Sequence, residues 1–483
     1  MLAPWVMEET QAADLKDPRL NARLREVLSQ LAARPTASIP AACGGRAEME
    51  AAYRLFDNDK VTFENILQSH QGATHRRIAA QRLVIAAQDT TEIDFTRPEL
   101  QVQGAGPLSD GSRRGAFLHL LHAFTSDGTA LGTIEAHPWV REEGPSLQHS
   151  LTLNQRKARP LEQKESYRWV VTLRQAHELA RQHPQTRIVC VADSEADIYE
   201  LLVEGTSEPD GAAWIVRAYI DRALEAEQNE TPAAHSYLRE KLLAQPVLFT
   251  KTIAIRGRKA KLSCDRHRRR QPRKSRSAEM EVRAGQVTLR PPWRAGQKLP
   301  SLTVNVVLVR ETNPPPDDEP VEWLLLTSLP IENAEQVREV IEYYCVRWMI
   351  EVFFRTLKSG CRVEERRFET MDRQLRCLAM YLIVAWRTLY VCRLSRACPE
   401  MSCEAIFEPA EWKSVYRVVQ QQSPPREPPT LAAMVRMVAQ LGGYVDRPRN
   451  DPPGPQTVWI GLQRMHDFAL CWQLFGPDAE KEP

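Results

Sequence analysis

The sequence predicts an α/β protein whose core of mixed strands is flanked on both sides by helical segments. Three observations predict it. Apolar residues recur at helical spacing through residues 17–78. From residue 82 short apolar runs alternate with an amphipathic helix, and from residue 334 the helical period returns.

Taken in order, DPRLNARLREVLSQLAAR places Leu20, Leu24, Val27, Leu28 and Leu31 on one face, with Asp17 as N-cap, Pro18 in the first turn and Pro35 as terminator. A second helix is expected over Arg46–Phe56 and a third from Thr62 past Ile66 and Leu67. With basic ends that include His75, Arg76 and Arg77, these helices suit either a DNA-binding bundle or an interaction module. RLVIAAQDTTEIDF then reads as a buried strand, and GAFLHLLHAFTS with GTALGTIEAHPWV as a hairpin. An amphipathic helix follows at Tyr167–Gln182, then a buried strand TRIVCVAD, a short helix and a strand AAWIVRAYI. Residues 222–331 are strand-rich and basic. One long helix is expected at Ala334–Lys358 and a largely apolar, buried one at Met371–Leu394. SPPREPP (423–429) reads as a linker before a last helical segment.

Composition excludes several classes. At 43% hydrophobic and 26% charged, the 483 residues are ordinary for a soluble globular protein. The run Leu378–Leu389 is interrupted by Arg387, so no membrane span is expected, and the acidic N-terminus lacks a secretory h-region. The ten cysteines form no C-x-x-C pair, as expected of reduced thiols in a cytoplasmic protein. The net charge of +2 says nothing of nucleic acid, but its distribution does. From Arg256 to Arg276 eleven Lys or Arg accompany one acid, Asp265, between two strand-like segments. This is a hairpin tip: either a solvated loop or a phosphate-binding arm, with Arg268, Arg269 and Arg270 at its centre.

Two aspartates, Asp89 and Asp193, directly follow apolar strands. Strand C-terminal ends are where α/β sheets bind ligands, and a carboxylate beside an apolar wall needs a cation. The alternative for each is a strand-end Asp that caps the next turn. In IEYYCVRWMIEVFFRTLKSG, Tyr344, Arg347, Glu351 and Lys358 share a helical stripe about 60° wide, apart from an apolar face of Ile350, Phe353, Phe354 and Leu357. An ordinary charged face with an Arg347–Glu351 pair would not need Tyr in line with Arg, Glu and Lys.

The spacing Y-(2)-R-(3)-E-(6)-K resembles the signature of the IS-four family of bacterial DDE transposases, and the resemblance runs nearly full length. QDTT at Asp89 and ADSEADI at Asp193 resemble the family's first and second catalytic Asp segments. AYRLFDNDKVTFENIL (52–67) resembles its end-recognition region and LAAMVRMVAQLGGYVDR (431–447) its dimerisation region. One departure is Ser194, where a Tn-five-like enzyme carries Arg.

The resemblance implies an RNase H-like catalytic core at 79–395 with a β-rich insertion at 222–331. The insertion accounts for the 158 residues (351 − 193) between Asp193 and Glu351. Around the core it implies a helical end-recognition domain at 1–78 and a helical dimerisation domain at 396–483. It implies catalysis by Asp89, Asp193 and Glu351 holding two Mg2+ ions, which Mn2+ can replace. Tyr344, Arg347 and Lys358 would contact DNA phosphates. Trp323 would hold a flipped base, although a core Trp on a strand reads the same way.

The implied activity is cut-and-paste transposition: nicking, hairpin formation, reopening and strand transfer. The partners would be double-stranded DNA, first the terminal inverted repeats and then the target, and a second copy in a synaptic homodimer. The setting would be the bacterial cytoplasm at the nucleoid, away from membranes. The rivals are a domesticated DNA-binding descendant without catalysis, disfavoured by a complete triad, and a plain RNase H-like nuclease.

Overall fold

A computed structural model describes residues 3–142, 159–225, 237–255, 257, 273–294, 296–316, 318–446 and 452–477. Contacts divide the chain into two compact units. A helical unit comprises Met1–Gln81, Thr90–Arg141 and Met349–Pro483, and a strand-rich unit comprises Arg82–Asp89 and Glu142–Trp348.

The strand-rich unit is built on β1 (Leu83–Asp94), whose first half lies parallel to β5 (Arg187–Ala192). β5 is in turn parallel to β6 (Ala213–Arg217). Beyond β6 the pairing becomes antiparallel, through β10 (Glu322–Thr327), β9 (Leu302–Glu311), β8 (Arg276–Leu289) and β7 (Phe249–Ile255). The sheet is therefore mixed, and the strands of the region 222–331 extend it through β10 on β6. The central strands are apolar on both faces because helices cover them. α6 (Tyr167–Gln182) packs on β5, as does α9 (Ala334–Val346) with buried Val337, Val340 and Ile341.

The helical unit begins with α1 (Pro4–Glu9), a short helix that the sequence pattern did not signal. α2 (Pro18–Ala33) starts as expected, with the Asp17 carboxylate accepting from the Arg19 amide, and buries Leu24, Val27, Leu28 and Leu31. α3 (Ile39–Ala42), α4 (Arg46–Phe56) and α5 (Phe63–Ala79) follow, and Thr62 and Asn65 cap α5 reciprocally. The expected hairpin forms from β3 (Arg114–Phe124) and β4 (Ala130–Trp139), and the short β2 (Gly106–Pro107) pairs with the first residues of β3.

The expected unbroken helix at 334–358 is a correction. After α9 the chain turns at Arg347 and resumes as α10 (Trp348–Arg355), followed by a π turn at Thr356–Gly360. The Arg347 amide bonds three residues back to Tyr344, and the Thr356 hydroxyl bonds the Val352 carbonyl, a contact that loosens the helical ladder. The stripe drawn at the ideal period therefore does not carry through to Lys358.

α11 (Met371–Ala397) has the length and apolarity of a membrane span, but 78% of its most apolar window is buried, against α5 and β4 among others. It is a core helix. α12 (Pro409–Gln420), α13 (Leu431–Leu441) and α14 (Pro455–Phe475) pack around Trp412, Met434, Val438 and Val458. Gly461 permits the α13–α14 approach, since a Cβ there would lie 1.8 Å from the Val438 carbonyl oxygen.

α1 is fastened by a buried ionic cluster. Glu9, 1% exposed, meets Arg77 at 2.6 Å and His70 Nδ1 at 2.5 Å, and His70 Nε2 accepts from the Thr133 amide at 3.1 Å. Burial pushes the Glu9 carboxyl up, but His70 and Arg77 outweigh it and hold the group below its usual 4.5. This cluster contributes stability above about pH 4.5 that is lost as pH falls below that value. Glu9→Ala strands two buried partners and should cost about 3–5 kcal/mol in urea unfolding at pH 7, with a smaller deficit in acid. A loss under about 1 kcal/mol would show that the cluster does not hold α1.

Candidate active site

The site is laid out by strand register. Leu83 pairs with Arg187 and Ala87 with Val191, an offset of 104 (187 − 83). The same offset continued along the two strands brings Asp89 level with Asp193 (193 − 89). Level residues on adjacent parallel strands point to the same face, about 5 Å apart at the backbone. The register thus directs both residues to the point where the β1–β5 pairing ends, with Asp89 inside β1, which runs on to Asp94, and not at the strand end expected from the sequence. Asp193 is also a turn cap, since its carboxylate accepts from the Glu195 amide at 2.8 Å at the start of the turn Ser194–Ala196.

Two like charges so close need cations. Arg347, at the turn after α9, donates from Nη1 to Asp89 Oδ2 at 3.1 Å, with only 11% and 14% of the two side chains exposed. At that depth the contact offsets the desolvation of both groups, and removing either partner would leave a largely buried charge. A further cation escaped the sequence reading. Ala192 pairs with Val216, so one step on Arg217 is level with Asp193 (216 − 192 = 217 − 193). Its signal was available: AAWIVR closes an apolar run on a charge, as LVIAAQD and IVCVAD do.

Tyr344 is buried nearby. Burial raises its hydroxyl above the usual 10, Arg347 and Arg217 pull it partway back, and Asp193 adds to the rise, so at neutral pH it is a donor. The Trp323 ring, on β10, lies 6.0 Å from the Tyr344 ring, and its side chain is half-buried. It is therefore not a fully buried core Trp.

The remaining expected residues lie in the helical unit. Glu351 is half-buried on α10. Lys358, in the π turn, has Glu364 Oε1 at 3.9 Å, and the same oxygen accepts from the Asp94 amide at 2.9 Å. Burial holds the Lys358 ammonium below its usual 10.5, opposed by Glu364 and Glu92. Arg113 grips Glu92 at 2.6 Å, Asp110 at 2.6 Å and Asp94 at 3.4 Å beside it. Arg268, Arg269 and Arg270 lie outside the described residues. Their segment connects β7 to β8, whose ends pair Ile255 with Arg276, so the expected hairpin is present.

The donor set of the strand-rich unit suits a hard divalent cation: paired carboxylate oxygens at a partly exposed strand end, with no thiolate or imidazole beside them in the strand-end segments. Among the described residues, no three His, Cys, Asp or Glu side chains are already grouped to hold a metal ion.

Comparison with known proteins gives three matches in chain order. A model described as transposase DNA-binding matches residues 2–61, a transposase DDE domain matches 154–387, and a transposase Tn5 dimerisation domain matches 383–472. Among solved structures, a piggyBac transposase synaptic complex with hairpin DNA is similar at 12% identity. That match covers 82% of this chain and 67% of the other with a TM-score of 0.35, and a likeness so loose carries no weight here. The mixed sheet is consistent with an RNase H-like DDE core, and the DNA-binding and dimerisation modules make DNA and a second copy its partners. With all three modules on one chain, the protein belongs to the DDE transposases of the Tn5/IS4 kind: it is a DNA transposase, with the divalent-metal dependence that a DDE domain implies.

Proposed function

We propose that the chain carries out cut-and-paste transposition, with Asp89, Asp193 and Glu351 as ligands of two Mg2+ ions, replaceable by Mn2+. The observation that carries this reading is the register that brings Asp89 level with Asp193 where the β1–β5 pairing ends. Glu351 is the third ligand by its place in the Y-(2)-R-(3)-E-(6)-K signature. When bound, such ions lower the pKa of an attacking water or 3′-hydroxyl and neutralise charge on the leaving oxygen.

The protein's own groups do the rest. Arg347 orients Asp89 and, with Lys358, grips phosphates flanking the scissile bond, while the Tyr344 hydroxyl donates to the DNA backbone. Trp323 offers a half-exposed ring for an extruded base at the transposon end, as hairpin formation requires. Arg268, Arg269 and Arg270 supply charge to the backbone without reading bases. The DNA partners are the terminal inverted repeats and then the target, held by a synaptic homodimer in the bacterial cytoplasm at the nucleoid. Residues 1–78 would recognise the end, 79–395 catalyse, and 396–483 dimerise.

Asp89→Ala, Asp193→Ala and Glu351→Ala should each abolish Mg2+-dependent nicking of a labelled transposon end while leaving end binding within about threefold, since the carboxylates serve metals and not the duplex. The melting temperature should fall in Asp89→Ala, which leaves the largely buried Arg347 guanidinium without its carboxylate, and fall less in Asp193→Ala, which removes only a turn cap. Cleavage retained in any one variant removes that residue from the site.

Lys358 gives a pH prediction. Its ammonium loses its proton below the usual 10.5, so phosphate grip and cleavage should decline as pH rises through that lowered value. Lys358→Arg keeps its charge and should move the alkaline limb of the rate profile upward. Superimposable limbs for the two proteins would assign the decline to another group.

A further inference from the structure

Immediately beyond Arg217 the strand-rich unit holds a loop, Ala218–Arg222, that no role above uses. Its backbone is pinned from beneath. The buried carboxylate of Asp197 accepts from the Tyr219 and Ile220 amides, both at 2.8 Å, and from Arg222 Nε at 3.2 Å. Arg222, itself buried, returns a bond to the Asp197 carbonyl at 3.0 Å, and Asp221 accepts from the Arg239 amide at 2.8 Å. A segment held by so many bonds has little freedom to fold its side chains inward. Yet Tyr219 is 79% exposed and Ile220 48% exposed. The fold thus spends a buried ion pair on holding an aromatic ring and an aliphatic side chain out in water, two residues past the level row of Asp89, Asp193 and Arg217.

We propose that Tyr219 and Ile220 form a second stacking step, packing against an unpaired base of the DNA strand whose backbone lies at Asp89 and Asp193. Asp197 is the positioning residue that holds the step in place. The proposal rests on the active-site reading above. Three features favour a base as occupant. The neighbouring Arg217 and Arg347 draw a polyanion to this edge of the sheet. A ring of this exposure on a fixed backbone binds a π-face at little entropic cost. The Tyr219 position also neighbours Trp323, since the pairing of Arg217 with Leu325 and the Ala218 amide bond to the Leu324 carbonyl bring Tyr219 level with it, so the two rings can serve successive bases.

The test uses the full-length protein with Ca2+, which supports binding without cleavage, and duplexes ending in the element's terminal repeat. These carry 2-aminopurine at successive positions on either side of the cut. In the wild type, fluorescence should report stacking at two separate positions. Tyr219→Ala should abolish one of them and weaken binding about tenfold, while Tyr219→Phe retains both. Asp197→Asn should lose the same position as Tyr219→Ala and spare the other, which Trp323→Ala should remove. Tyr219 lies at the surface, so its variant folds even if the Asp197 variant does not. An unchanged signal in Tyr219→Ala overturns the proposal. So does a change in sedimentation without a change in fluorescence, which would make the loop a contact between copies. Cleavage by Asp89→Ala would instead sink the active-site reading, and this fluorescence assay does not depend on that outcome.

Discussion

The parallel pairing of β1 with β5 is the constraint on which the rest of the site depends. Parallel strands hold a constant offset, so the pairs from Leu83–Arg187 to Ala87–Val191 determine where the next residues stand. A slip of one residue would turn Asp89 into the apolar interior and break the row with Asp193 and Arg217.

Placing two carboxylates level at the end of an apolar sheet is costly, and the surrounding charges show how the cost is offset. Arg347 takes Asp89 directly, Arg217 stands level with Asp193, and protonated Tyr344 lies among them. The carboxylate oxygens of this row are hard donors of the kind that suit divalent ions. The break in the helix at Arg347 belongs to the same economy of position. Arg347 sits at that junction with helical dihedrals, and its guanidinium reaches Asp89 from there.

The helical unit meets a similar problem in another way. Glu9 and His70 are buried and Arg77 partly so, and the three satisfy one another, with Arg77 also 4.2 Å from the centre of the Trp386 ring. This cluster ties the first helix to α5, β4 and the core helix α11. In contact terms, the segment matching a DNA-binding model and the segment matching a dimerisation model belong to one unit, although the DDE domain separates them in sequence.

Much was determined by the sequence alone, because its signals are local. Asp17 and Thr62 mark helix starts, and the apolar runs before Asp89 and Asp193 mark buried strands. The spacing of Tyr344, Arg347, Glu351 and Lys358 is read on one segment, and it pointed to the family before any fold was seen. What only the tertiary structure decided depends on partners far apart in the chain. The level row of Asp89, Asp193 and Arg217 follows from strand pairing, and the half-burial of Trp323 from what packs on β10. The turn at Arg347 and the π turn at Lys358 override the helical period, since side-chain bonds and tertiary packing outweigh the small free-energy differences between helical forms. α1 escaped notice because six residues are too few to show a period, and the Glu9 that secures it finds its partners more than sixty positions away.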